Sequence, residues 1–303
     1  MIIGESTPFT AHIIMIDAQT IAPPISGFFA RAYREIVADR APLPSMPDVA
    51  LRIRAAMQQP NYNAKTIARL INADPGTCAY LMRIANSALY GGAVPIHDLE
   101  NAIARLGIVS TRNLVTSYAL RAMFRTRSPV LSRLMQQTWA KSARLAAVAA
   151  VIASRCAGFD PDRAMLAGLL QDIGILPLLL SLEGYSGPLP DAARIDSSFD
   201  AVADKVGVVL LQKWNFDDET VEVARSRKDW RRDPQPKPEL ADLVLVARWH
   251  TCIGDCEMQS LPRINELPAF QKLPLSRKGP DASLDFLRQA ESDVQQVMRL
   301  LGV

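Results

Sequence analysis

The sequence predicts an all-α fold, and three observations carry that expectation. Apolar residues recur at helical spacing through most of the chain from Pro42 onward. Helix-start and helix-stop residues punctuate those segments: Asp74–Pro75 and Asp160–Pro161 each join an N-cap residue to a proline suited to the first helical position. Gly91 or Gly92, and Gly107, follow helical runs where a C-terminal cap is needed. Convincing β runs are few.

Residues 1–40 are the least patterned, with "TAHIIMID" reading as a short strand and "SGFFARAYREIVADR" as a short helix. "PLPSMPDVALRIRAAMQQP" opens on prolines and then places Val49, Ile53, Ala56 and Met57 on one helical face. Asn63 caps a helix carrying Ile67, Leu70 and Ile71, and Asp74 starts one carrying Cys78, Leu81, Met82 and Ala85. Asp98 opens "LENAIARLG", Ser110 caps a helix running towards Arg125, and a long alanine-rich helix follows Pro129. Asp160–Pro161 leads into "AGLLQDIGILPLLL". "SFDAVADKVGVVLLQKWNF" and "DDETVEVARSR" read as two further helices, and "KDWRRDPQPKP" as a proline-rich loop. "ELADLVLVARWHTC" is helical, "LPRINELPAFQKLPLSRKGP" a long irregular link, and "SLDFLRQAESDVQQVMRLLG" a terminal helix.

Composition narrows the class further. A chain of 303 residues buries about 75% of the surface its unfolded form exposes, enough for a core without disulfides or metal. Apolar residues make up 49% and charged residues 21%, the balance of an ordinary globular protein. A net charge of +3 is too small to imply a nucleic-acid partner. Cys78, Cys156, Cys252 and Cys256 are irregularly spaced, as reduced thiols in a cytoplasmic protein would be. The N-terminus lacks the basic and long apolar regions of a secretory signal. The most apolar window, Ala164 to Leu182, contains Gln171, Asp172 and Pro177. One Asp at mid-bilayer costs roughly 2.5–3.5 kcal/mol, so this window reads as a buried helix, with no membrane partner expected.

"LPSMP", "INADPGTCAYLMRIANSALYG", "NAIARLG", "TWAKSARLAAVAA", "AMLAGLLQDIG" and "VGVVLLQKWNF" together resemble the successive signatures of the HDOD family, relatives of the HD phosphohydrolases. The resemblance covers residues 42–236, in order and at matching spacing. It implies a two-lobed helical fold, residues 42–128 and 129–236, with the second lobe HD-like. Residues 1–41 would then be an N-terminal extension, and 237–303 a helical extension packing on the HD-like lobe. It also implies a regulatory role in bacterial signalling through contact with other signalling proteins, in some members linked to cyclic di-GMP. Asp74, Pro75, Asn86, Ser87, Gly168, Gly174 and Trp214 fall on family motif positions, with structural roles expected.

HD phosphohydrolases hold divalent metal with imidazoles and carboxylates and acidify a bound water. Set against that pattern, Gln171 replaces the His of the His-Asp pair, Asp172 remains, and the earlier His falls on Lys141. The later Asp matches Arg248 or, with a small shift, Asp242. Of the three histidines, His12, His97 and His250, none occupies a motif position. A protonated lysine repels a cation and an amide is a weak ligand, so neither metal nor cofactor is expected and HD-type hydrolysis reads as lost. Asp172 is almost never left buried and unpaired. It has two readings: an ion pair with Lys141, or equally with Arg248, in place of the metal; or bonds to backbone amides or a buried water.

His250, Cys252, Asp255 and Cys256 are close in sequence, but no second pair has zinc-site spacing, so a helix end with ordinary thiols is the expectation. The helix–turn–helix look of residues 65–87 fails because its second helix is mostly apolar, whereas a recognition helix must offer polar groups to base edges. Between Arg225 and Arg232 lie Arg225, Arg227, Lys228, Arg231 and Arg232 with one acid, Asp229, a local net of +4 around Trp230. That loop is either a docking patch for an acidic partner, nucleotide or RNA, or a loop whose Trp folds back on the second lobe. The sequence thus points to a non-catalytic signalling module. Two alternatives stand behind it: a hydrolase rebuilt on Asp172 and Asp242, and a nucleotide or nucleic-acid binder using the basic loop. Self-association is left open.

Overall fold

The structure, a computed structural model, describes residues 25–38, 40–41, 43–91, 94–184, 192–253 and 261–303, and among them there is no strand. The strand expected at "TAHIIMID" lies outside the described residues. Helix α1 (Ile25–Val37) comes first. The first lobe holds α2 (Asp48–Met57), α3 (Ala64–Asn72), α4 (Pro75–Ala85), α5 (Leu99–Leu106) and α6 (Ile108–Met123). The second holds α7 (Pro129–Ala153), α8 (Pro161–Gln171), α9 (Ile175–Ser181), α10 (Ala192–Asp200), α11 (Ala203–Lys213) and α12 (Asp218–Arg225). The remainder forms α13 (Leu240–Thr251), α14 (Pro268–Lys272), α15 (Pro280–Gln289) and α16 (Glu291–Leu300).

The punctuation works as the chemistry requires. Asn63, Asp74, Asp98, Asp160 and Asp217 each accept a hydrogen bond from a backbone N–H in the first turn of the helix they precede. Gly107, at φ +82°, separates α5 from α6 in a conformation that a side chain would strain. Because α6 starts directly after it, Ser110 sits inside that helix instead of capping it. Three other boundaries differ from the pattern. The run from Ser198 to Phe216 is split into α10 and α11, the terminal run into α15 and α16, and the long link contains α14 and short 3-10 turns. Periodicity alone is blind to such one- or two-residue breaks.

The 25-residue α7 is the spine of the second lobe, packed against α8, α9, α13 and α16. Trp139 of α7 donates from Nε1 to the carbonyl of Leu301, which ties the last helix to the spine. Helix α1 lies on α9, α10 and α11, with Phe29 edge-on to Phe199 at 4.8 Å, so it covers the second lobe. Helix α6 belongs to the first lobe but packs on α8. Trp214 Nε1 to Pro44 O at 3.0 Å, and Tyr90 to Asp162, join the lobes further.

The segment Pro161–Ser181 is long and apolar enough to cross a membrane by composition, yet 78% of its window is buried inside the protein. It forms two core helices, α8 and α9, broken at residues 172–174. Close approach explains its glycines. A Cβ on Gly168 would stand 2.7 Å from Ala146 Cα, and one on Gly174 2.0 Å from the Ala203 carbonyl oxygen. Overfilling such contacts costs roughly 1–3 kcal/mol, so Gly174→Ala is expected to lower the unfolding free energy measured in urea by at least that range; an unchanged value would show that α11 can step aside.

Candidate functional site

The break between α8 and α9 positions the site. Asp172 is the C-terminal cap residue of α8, where the helix dipole disfavours an anion. Its carboxylate is largely buried and answers to two guanidiniums. Arg227, in the turn after α12, donates from Nε at 2.6 Å and from Nη2 at 2.5 Å to Oδ1. Arg248, on the facing side of α13, donates from Nη1 to both oxygens at 2.9 Å, and reaches Gln171 Oε1 at 3.2 Å. Burial pushes the Asp172 carboxyl upward, but the two guanidiniums outweigh it and hold the group well below the usual carboxylate range.

Arg227 is itself 2% exposed and spans two acids. Its Nη1 donates to Asp200 Oδ1 at 2.7 Å, while Lys228 pairs with the other oxygen of Asp200. Asp200 ends α10, so Arg227 fastens that helix to the centre of the lobe. Arg232 carries a second network. It donates to Asp242 Oδ1 at 2.6 Å and to Glu239 Oε2 at 2.8 Å, and Lys272 reaches Asp242 Oδ2 at 3.2 Å. Asp242, with no exposed surface, also accepts from the backbone N–H of Glu239 in a reciprocal cap at the start of α13.

This geometry corrects several expectations. The cations on Asp172 are Arg227 and Arg248; Lys141 lies exposed on α7 and is not among the carboxylate's partners. Asp242 belongs to the separate Arg232 network, six residues before Arg248 on the same helix. The basic loop is no continuous docking patch. Arg227 and Arg232 are buried, Lys228 is half-buried on Asp200, and Trp230 packs against the hydrophobic core. Only Arg225 and Arg231 of the set stay exposed. The local surplus of +4 is the visible trace of buried acids elsewhere, among them Asp200, whose place between Phe199 and Val202 gives no local sign that it accepts from Arg227.

The motif residues hold backbone. Asn86 donates from Nδ2 to Met82 O and Ile96 O and accepts from Ile96 N at 2.7 Å, while Ser87 Oγ donates to Ile84 O. Asp74, ahead of Pro75, also accepts from Thr77 Oγ1 at 2.5 Å. At the end of α13, His250 and Cys252 are buried, and Asp255 and Cys256 lie outside the described residues.

A divalent metal does not fit the Asp172 centre. Both carboxylate oxygens accept from guanidiniums, and the flanking positions supply an amide and a fixed positive charge. Among the described residues no group of three or more His, Cys, Asp or Glu is arranged to hold a metal.

Removing one partner of a buried pair costs roughly 3–5 kcal/mol, so Arg227→Met should destabilise the fold by about that much in urea unfolding. Lys141→Ala, at an exposed position, should cost less than about 1 kcal/mol; the reverse order would show that the centre is mis-assigned. Burial pushes His250 down to about 4. Between pH 6.5 and that value the unfolded chain takes up a proton the folded chain refuses, so stability is full above 6.5 and falls as pH drops. Asp172 adds a second loss below the unfolded carboxylate value near pH 3.9, while Asp162, raised by burial, works in the opposite direction. His250→Asn should flatten the first stage by up to about 3 kcal/mol, read from urea unfolding at pH 7.5 and pH 4.5. An unchanged slope would mean that His250 is protonated in the folded chain.

Comparison with known proteins places this arrangement. A "putative metal-dependent phosphohydrolase" from Shewanella amazonensis SB2B shares the fold with a TM-score of 0.75 at 24% identity, over 88% of this chain and 98% of that one. An HDOD domain protein with unknown function from Geobacter sulfurreducens superimposes with a TM-score of 0.61 at 19% identity, over 92% and 98%. A "putative signal transduction protein" from Marinobacter aquaeolei VT8 gives 0.59 at 20% identity, over 95% and 69%. An uncharacterized protein of Treponema pallidum is 22% identical over 244 residues, 75% of this chain, which spans about half (46%) of that relative's length. The HDOD domain model matches residues 43–230, most of both lobes. The chain belongs to the HDOD domain family.

Proposed function

We propose that this protein is a non-catalytic regulatory module that passes signals on by binding other proteins. The observation that carries the proposal is the pairing of Asp172 with Arg227 and Arg248. Where the resemblance to HD phosphohydrolases puts a metal-binding carboxylate, this chain has a carboxylate already neutralised by two fixed cations. A guanidinium cannot acidify a water as a divalent metal does, so the hydrolytic route has no activator at this position.

Membership of the HDOD family supports a signalling role, and so does the shared fold with the Marinobacter protein. Apolar side chains that a partner would cover are concentrated on the first lobe, where Leu51, Tyr62, Leu89, Val94 and Val109 are all exposed. The network served is, on this reading, a bacterial cytoplasmic one of the kind linked to cyclic di-GMP. A hydrolase rebuilt on Asp172 and Asp242 is disfavoured because the two carboxylates serve different buried networks. A nucleic-acid surface on the basic loop is disfavoured because Arg227 and Arg232 face inward.

Elemental analysis of untagged protein, paired with a phosphodiesterase assay in added manganese, tests the proposal. The expected result is metal far below one ion per chain and hydrolysis no faster than in buffer. Stoichiometric manganese, iron or zinc with turnover that disappears in Asp172→Asn would overturn it.

A further inference from the structure

The charge of this chain is unevenly distributed. Between Glu100 and Asp160 the sequence contains no acidic residue at all. Within that span, four arginines, Arg121, Arg125, Arg127 and Arg133, cluster where α6 turns into α7. No carboxylate lies within ion-pairing distance of any of the four among the described residues. That sets them apart from Arg163, Arg227, Arg232 and Arg248, all of which hold acids.

At the same elbow the surface is concave. A pocket of about 590 Å³ opens between the end of α6, the first three turns of α7 and the last two residues. Arg121 and Arg125 line one side, and Ser132 and Gln136 line the other. Gln136 Nε2 donates to Ser132 Oγ at 3.3 Å, which leaves its second N–H and its carbonyl for a guest. The buried rings of Phe124 and Trp139 form the floor, 5.5 Å apart. The Arg121 guanidinium lies close against Gly302, where a Cβ would come within 1.9 Å of Nη1. Gly302 adopts φ +79°, a backbone conformation that suits glycine.

We propose that this elbow pocket binds a small molecule carrying a phosphate or diphosphate group, of mononucleotide size. Guanidiniums match phosphate oxygens in bidentate geometry, and here two of them line one concave site. The volume is that of a small-ligand pocket, with a few polar groups placed over an apolar floor. A flat basic face would suit a nucleic-acid strand or an acidic protein surface; a half-enclosed pocket suits a compact anion. The site lies on the α6–α7 side of the fold, apart from the Asp172 centre, and stands whether or not the signalling role does.

Isothermal titration of the full chain at low salt tests it, with ADP, GDP, pyrophosphate and adenosine as the probes. Binding of ADP or GDP is expected to weaken by at least roughly tenfold in Arg125→Glu and in Arg121→Ala, as loss of a charge-assisted bond requires. Arg231→Glu, at an exposed arginine outside the pocket, should bind as the parent does. Arg125 is exposed, so its variant reports binding without loss of folding. Pyrophosphate binding as tightly as ADP, with the same sensitivity to Arg125→Glu, also supports the site and makes the phosphate group its sole determinant. The proposal is overturned if none of the phosphate probes binds, if adenosine binds as well as ADP, or if binding survives Arg125→Glu. Binding of a single-stranded RNA oligomer without binding of ADP or pyrophosphate overturns it as well.

Discussion

The bifurcated grip of Arg227 and Arg248 on Asp172 is the constraint on which the second lobe is organised. Four separate stretches of chain meet there: the break after α8, the end of α10, the turn after α12, and α13. An isolated carboxylate at that depth would be protonated or would draw in water. Two guanidiniums instead supply charge and donors together, in a form that cannot be deprotonated at any pH where the protein folds. The cost of burying three charges is offset because both Asp172 oxygens accept charged donors and Arg227 uses Nε, Nη1 and Nη2.

That centre also explains the inward turn of the basic loop. A +4 stretch would ordinarily remain in water. Here its alternate members are drawn into two buried networks, Arg227 onto Asp172 and Asp200, Arg232 onto Asp242 and Glu239. Trp230 follows by packing against the core, because the arginines on either side of it fix the backbone. A buried ion pair contributes little net stability compared with apolar packing, but it penalises every arrangement that separates the partners. The networks tie α10 and α13 to the break after α8 through Arg227 and Arg248, while Gly168 lets α8 approach α7 closely. A rigid lobe of this kind, tied to the first by Trp214 and Tyr90, suits a surface that other molecules must find in one shape.

Much of the fold was legible in local pattern. Asn63, Asp74, Asp98 and Asp160 announced helix starts because an N-cap depends on residues two or three positions away. Gly107 announced a stop for a similarly local reason. Even the centre left a local mark, since an Asp inside a run of leucines demands a partner wherever the chain folds. The interruptions of one to three residues at Asp172, Val202 and Ala290 were not legible, because apolar spacing continues across them and only the neighbouring helices determine where the axis bends.

Helix content, caps, family and the need for some partner at Asp172 were therefore already written in the order of the residues. Arg248 was a candidate beside Lys141, but the choice between them, and the part played by Arg227, was not. Arg227 and Arg248 stand 55 and 76 positions away in the chain, and Lys141 was as plausible by charge alone. Periodicity reports the face a residue occupies, not what lies opposite that face. The partner is settled only when α12 and α13 close over α8, since an ion pair in low dielectric depends on distances of a few ångströms that local sequence does not encode.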